Sequence, residues 1–438
     1  MADKKSNSFS KGRGGEIRRI RECMKVAVYG SWHLAEVYAI GLCKLGHKVN
    51  LISDTEAYKD YKNGKPPVFE PEITEGIKEY TKKKKLSFSN NTADSKNKAD
   101  ICFFAQDVNI TPKGVDMRHI QGHFKKVVES KNFKTICVSS QLPIGTCGGW
   151  QKQNKNIDIV YFPEFLRFGD ALRRFVEPDY IVLGGSKAGI QKVSKVFSGV
   201  SSPKFFVSLE EAEMAKHAAN IFVAMTVSFV SELTKFSEAF NINFEKIGKI
   251  LRADKRIGPK AYTMPGLGFS GTVKRDIVVL IEEAKRLKKK LPMFEQVIAV
   301  NNEHNKYIEN ELRVRFKAFQ GKKIGFLGAT YKPFTSNMRG SLIAPLMEKL
   351  KREGAKVVLF DPLVENNSYK ISSASEVFEK ADAVVVSVGK KEFREIPYKK
   401  LISLMKKKII IDAANMFTKE EAEKLKVDYT SIGRGKRN

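Results

Sequence analysis

One sequence pattern that sharply limits the fold occurs twice in this chain. Near the start, KVAVYG is followed by HLAEVYAIGLCKLG and then KVNLISD; far downstream, KKIGFLG is followed by LIAPLMEKLKREG and KVVLFD. Each copy reads as a short apolar strand, a glycine turn, an amphipathic helix stopped by glycine, and a second strand ending in an acid. That order is a βαβ unit, which packs as a parallel sheet covered by helices. More strand-like runs follow the first copy (ADICFFAQD, KTICVSSQ, DIVYFP) and the second (DAVVVSVG, KKIIIDAAN). Between them, from about Leu209 to Leu312, the pattern is helical throughout, beginning with the long run SLEEAEMAKHAANIFVAMTVSFVSELTKFSEAF. The expected fold class is α/β, with two Rossmann-like doubly wound domains joined by a central helical domain. The expected boundaries are a disordered basic arm over 1–23, a dinucleotide-binding domain over 24–205, a helical domain over 206–318 and a second Rossmann-like domain over 319–438.

Bulk composition narrows the partners. The 438 residues hold 78 Lys+Arg against 49 Asp+Glu, a formal charge of +29. The lysines come in short runs such as Lys82 to Lys85 and Lys406 to Lys408, without the interleaved aromatics of a base-stacking surface. They read as a solvated surface, and nucleic acid is not expected as a partner. No apolar run is long enough for a membrane span, and the N-terminus lacks a signal-peptide core. The cysteines (Cys23, Cys43, Cys102, Cys137, Cys147) show neither CxxC pairs nor metal-ligand spacing, so no metal and a reducing, cytoplasmic setting are expected.

Three places carry candidate chemistry. The first turn after KVAVY reads Gly30, Ser31, Trp32, His33, Leu34, Ala35, where a dinucleotide fingerprint would read GxGxxG. The first glycine is present and Ala35 is a tolerated third residue, but Trp32 replaces the glycine that admits a pyrophosphate. Asp54, or Ser53 in its register, ends the second strand where an acid would take the ribose hydroxyls. The turn either binds a dinucleotide or belongs to a domain that has lost its ligand. On the long helix, Lys216 and Asn220 lie four apart and share a face; they are either an oxyanion-stabilising pair or a polar stripe. Finally, GLGFSGTVKRD (266–276) is a glycine-rich loop opening a helix, with Thr272 and Asp276 in its first turns.

Several stretches resemble, in one continuous order, those of the nucleotide-sugar dehydrogenases, the UDP-glucose and GDP-mannose 6-dehydrogenases. YFPEFLRFGDALRRFVEPDYIVLGG is similar to NPEFLREG…NPDRIVIGG, PPVFEPEI to SPIYEPGL, and SSQLPIGT to STVPVGT. AKHAANIFVAMTVSFVSEL resembles KYAANAFLATKISFINE, and DKRIGPKAYTMPGLGF resembles DPRIGPKFLNPGPGYGG. In the last domain YKPFTSNMRGS is similar to FKPDTDDMRES, and IDAANMF to VDGRNIY.

The resemblance implies NAD-dependent oxidation of a sugar C6 hydroxyl in two hydride transfers, for polysaccharide or glycan precursors, by a dimer built on the central helices. It implies catalytic roles for Lys216, Asn220, Asp276, Glu164 and the residue in the nucleophile slot. It implies cofactor contacts from Gly30, Trp32, His33, Leu34, Asp54 and Arg339. Substrate contacts are implied for Lys260, Gly266, Gly268, Phe269 and Lys332. Departures stand beside these matches: Phe168 for the second glutamate of PEFLREG, Gln141 for the Thr of STVPVGT, and Ala414 for the Arg of DGRN. The family's GGSCFPKD has become SGTVKRD, with Thr272 in or beside the cysteine slot. No cysteine occurs after Cys147, so the later domains cannot supply a thiol, and Cys147 is either a structural thiol or a stand-in nucleophile. Three outcomes remain open on the sequence: oxidation that stops at the aldehyde, direct oxidation of the hydrated aldehyde, or a non-catalytic relative that binds a nucleotide sugar or polyanion.

Overall fold

A computed structural model of the chain describes residues 23–111, 114–364 and 368–434; the expected basic arm, apart from Cys23, lies outside them. The chain divides into two compact units. The first comprises 23–67, 72–109 and 116–214, and the second 68–71, the described residues of 110–115, and 215–434.

The first unit holds an eight-stranded sheet: β1 (Lys25–Tyr29), β2 (Lys48–Ile52), β3 (Leu86–Ser89), β4 (Ile101–Phe104), β7 (Thr135–Val138), β8 (Asp158–Tyr161), β9 (Ile181–Gly185) and β10 (Lys204–Val207), with the short hairpin β5 (Ile110–Thr111) and β6 (Gly114–Val115) assigned to the second unit. The order is β10-β9-β8-β7-β4-β1-β2-β3, parallel except where β9 runs antiparallel to β8. β1 therefore sits between β2, reached by the helix His33–Lys44, and β4, reached by crossing back over the sheet. This reversal of winding at the β1–β4 ends is the switch point at which open α/β sheets hold ligands. β3, β9 and β10 were not evident in the sequence. LSFS and KFFV are four-residue strands at the sheet edges, too short to show a period.

The second unit combines the helices 215–315 with a five-stranded parallel sheet: β11 (Lys323–Leu327), β12 (Lys356–Phe360), β13 (Ala383–Val386), β14 (Ile409–Asp412) and β15 (Asp428–Ser431), ordered β12-β11-β13-β14-β15. Alternate side chains feed two cores, as the pleat requires. Ile324, Phe326, Ala383, Val385, Ile409 and Ile411 join one, while Leu327, Val384, Val386 and Ile410 join the other.

The acid ending β12 explains why this repeat differs from the first. Asp361 is wholly buried, takes the Ala329 and Leu363 amides at 3.0 and 3.1 Å, and pairs with buried Lys390 at 2.5 Å. It braces the β11 turn from inside. Removing one partner of such a pair strands the other charge in an apolar setting. Lys390→Met should lower unfolding stability by about 3–5 kcal/mol in urea titration; an unchanged midpoint would contradict the assignment.

Candidate active site

In the first unit, the turn after β1 fits a dinucleotide on three observations. A Cβ on Gly30 would stand 2.5 Å from the Ala105 carbonyl oxygen at the end of β4, so only glycine lets the two strand ends close. The helix His33–Lys44 starts with no side-chain cap, leaving its first turn to an anion. Asp54 is exposed beyond β2, gives its N–H to Ser31 Oγ at 3.1 Å, and so lies on the same rim as the turn. One carboxylate oxygen of Asp54 caps the next helix through Ala57 N–H. Trp32 is not strained: its φ of −147° is extended, which any residue adopts. Its ring packs edge-on against Phe168 at 5.9 Å, and Phe168 lies 4.0 Å from the His33 ring. The aromatic at position 168 thus packs with those at 32 and 33, two departures from the family's pattern meeting in space. Leu34 is half-buried beside them.

Beside this turn, Tyr29 and His123 are hydrogen-bonded at 2.7 Å, and His119 packs on His123 at 4.6 Å. Burial first, then the charges of His119 and Lys126, lower the His123 pKa to about 4.

Glu164 is half-buried in the loop after β8, where Oε2 accepts the Leu166 N–H at 2.9 Å; Gln141 is buried after β7. Cys147 is fully buried, and burial pushes its thiol well above the usual range, with the Glu213 carboxylate adding to the shift. Glu213 takes the Gly145 and Cys147 amides at 2.5 and 2.9 Å. Such a thiol does not form the thiolate that a nucleophile needs, so Cys147 is structural.

In the second unit, Lys216 and His217, 3% and 1% exposed, lie on the long helix Leu209–Ala239 with half-buried Asn220. Asp276, with no exposure, comes from the helix Gly271–Arg286. Its Oδ1 meets His217 Nδ1 at 3.2 Å, and its Oδ2 accepts Asn220 Nδ2. The spacing of four that pairs Lys216 with Asn220 is only part of the arrangement. His217 and Asn220, three apart, share one carboxylate. His217 was missed because its partner lies 59 residues away; its adjacency to Lys216 was the only available signal. Thr272 lies one turn before Asp276, hence on the same helix face, and is hydrogen-bonded to the Tyr331 phenol.

The glycine-rich loop receives a different explanation from the one its sequence suggests. A Cβ on Gly268 would meet Asn301 Oδ1 at 2.3 Å, on the helix Pro292–His304. The Gly268 and Phe269 amides go to Asn305 and Asn301 at 2.9 and 2.7 Å, and the Gly266 carbonyl to His304 Nε2 at 2.8 Å. Phe269 is itself buried. These backbone groups hold the loop internally. Lys260 and Arg339 are exposed and Lys332 is half-buried, its ammonium 5.7 Å from the Tyr331 ring.

Comparison with known proteins decides the family. The chain matches three domains of one family in order: the NAD binding domain over 24–200, the central domain over 210–303 and the UDP binding domain over 325–419. It belongs to the UDP-glucose/GDP-mannose dehydrogenase family. Among relatives, UDP-glucose 6-dehydrogenase TuaD of Bacillus subtilis (strain 168) is 27% identical over 430 residues, 94% of this chain and 93% of its own length. The UDP-glucose 6-dehydrogenase of Rhizobium meliloti (strain 1021) is also 27% identical, covering 94% of this chain and all of its own. Two solved structures share the fold. A UDP-glucose dehydrogenase from the archaeon Pyrobaculum islandicum has a TM-score of 0.85 at 22% identity, covering 97% of this chain and 99% of that one. UDP-D-ManNAc dehydrogenase from Pyrococcus horikoshii has a TM-score of 0.82 at 20% identity, covering 94% and 99%.

The chain is thus an oxidoreductase of the nucleotide-sugar dehydrogenase family, and NAD is its cofactor. The Gly30 turn, the first turn of the following helix and Asp54 are the groups that fit it. Among the described residues, no helix is long and apolar enough to cross a membrane.

The His123 shift gives a pH dependence. The folded ring takes a proton only near pH 4, whereas an unfolded histidine takes one near 6.5. The unfolded state therefore binds more protons in between, and stability falls as pH drops from about 6.5 to 4. Midpoints of urea unfolding measured across that window should fall less steeply in His123→Phe than in the wild type; equal slopes would refute the assignment.

Proposed function

We propose that this chain oxidises the C6 hydroxyl of a nucleotide-activated sugar with NAD and releases the aldehyde. The observation that carries the reading is the cluster in the second unit: a fully buried Asp276 shared by His217 and Asn220, with Lys216 alongside. Burying Lys216 and Asp276 costs stability, which argues for a catalytic use rather than a purely scaffolding one. Bound NAD supplies the hydride acceptor. The proposed role of Lys216 and Asn220 is to steady the charge that develops on the C6 oxygen as its proton passes to water. Asp276 orients Asn220 and His217. Glu164, Lys260, Lys332 and Arg339 are the proposed contacts to sugar and phosphates.

A second hydride transfer through a thioester needs a thiolate. A Thr272 hydroxyl ionises far above a thiol, so the covalent route is closed. The expected products are one NADH per sugar and an aldehyde, read by mass spectrometry after incubation with UDP-glucose, GDP-mannose or their N-acetyl relatives. Thr272→Cys places a thiol in the first turn of a helix, which favours the thiolate. It should shift the product to the carboxylate and the yield toward two NADH. Acid from the wild type, or no cofactor binding by calorimetry at millimolar NAD, would sink the proposal.

We also propose a homodimer, in keeping with a protein of the cytoplasm. Phe222, Phe229 and Phe236 recur every seven residues on the long helix, followed by Phe240, and all are 54–70% exposed. A heptad stripe of this kind suits a second copy of the same helix. Phe229→Asp with Phe236→Asp should yield monomer in light scattering; an unchanged mass would rule this face out.

A further inference from the structure

Phe334 stands in a backbone conformation that its side chain makes costly. Its φ of 64° is left-handed, a region that a bulky residue adopts only under constraint. Apart from the glycines, the other described residues at positive φ are Glu, Lys or Asn. The ring gains little from the fold in return, since Phe334 is 52% exposed. YKPFTSNMRGS carries phenylalanine where the similar FKPDTDDMRES carries aspartate, a short polar residue that tolerates this conformation.

The turn around Phe334 is fixed from within. Thr335 has no exposure, and its Oγ1 accepts the Asn337 N–H at 3.1 Å. Asn337, also buried, accepts the Arg339 N–H on Oδ1 at 2.9 Å and the Tyr331 N–H on its carbonyl at 2.8 Å. These bonds hold Phe334 in place against its own preference. A second exposed aromatic is brought to the same turn. Phe69, 44% exposed, donates its N–H to Ser336 Oγ at 3.0 Å, and residues 68–71 belong with this turn to the second unit. Lys332 and Arg339, the proposed phosphate contacts, lie on the turn with Phe334.

Exposed aromatics beside cations suit a flat heterocyclic base joined to a diphosphate. Both the nucleotide sugar and NAD contain that combination. The turn lies in the span that matches the UDP binding domain, 325–419, while the groups that fit NAD lie in the first unit. We infer that Phe334 is a stacking residue for the base of the nucleotide sugar, with Phe69 beside it, and that its backbone strain is retained for this contact. The inference rests on the proposed use of a nucleotide-activated sugar. Every base has a ring face, so the contact serves uracil and guanine alike.

Calorimetry on the full chain with UDP, GDP, UDP-glucose, GDP-mannose and NAD tests this. In Phe334→Gly, the nucleotide that the wild type binds most tightly, and its sugar, should bind roughly 5- to 150-fold weaker, the range of one stacked base, while NAD changes less than about 2-fold. Phe334→Tyr should keep the affinity, and Phe334→Leu should lose most of it. Glycine also removes the strain, so the urea midpoint of Phe334→Gly should equal or exceed that of the wild type. A lower midpoint marks the ring as packing and overturns the inference. Unchanged nucleotide affinity, a weakening of NAD alone or by the same factor, or a wild type that binds none of the UDP and GDP compounds also overturns it. Weaker nucleotide binding in a chain whose wild type forms no NADH upholds the stacking contact and defeats the proposed oxidation; NADH formation with unchanged nucleotide affinity does the reverse.

Discussion

A carboxylate with no access to water organises the second unit. Asp276 sits on the helix that follows the glycine-rich loop, and both of its oxygens are claimed by the long helix, through His217 and Asn220. A buried charge without partners would be prohibitive, so the two helices are held in one register by the need to satisfy it. That register fixes where Lys216 lies and, one turn back from Asp276, where Thr272 lies. Asn301 and Asn305 serve the same end from the other side by taking the amides of Gly268 and Phe269. Loop, helix start and polar cluster are therefore one construction.

The two strand–glycine–helix–strand repeats show how one local pattern supports different uses. Each ends its second strand with an acid. Asp54 is exposed and tied to the turn through Ser31. Asp361 is buried against Lys390 and spends its oxygens on backbone amides. The pattern specifies the βαβ geometry, while the neighbours decide whether the acid is a ligand group or a brace.

Much of the architecture was legible because it depends on local periodicity. The apolar runs of β1, β2, β4, β7 and β8, and the 31-residue helix Leu209–Ala239, announce themselves within a few residues. Edge strands such as LSFS and KFFV do not. The site was legible only as separate motifs. Lys216 and Asn220 stood out by helical spacing, but the bond from Asn220 to Asp276 spans 56 residues and carries no local signal. The glycines of GLGFSG suggested room for a ligand; Gly268 makes room for Asn301.

The proposed reaction at this cluster, which lacks a thiol, removes one hydride from a sugar C6. Incubating the protein with NAD and UDP-glucose carrying two deuterium atoms on C6, or the equivalent GDP-mannose, reads this directly. The predicted result is one deuterium in the reduced cofactor per sugar consumed and one retained in an aldehyde product. No deuterium in the cofactor with any of these sugars, or two equivalents transferred per sugar, would contradict it.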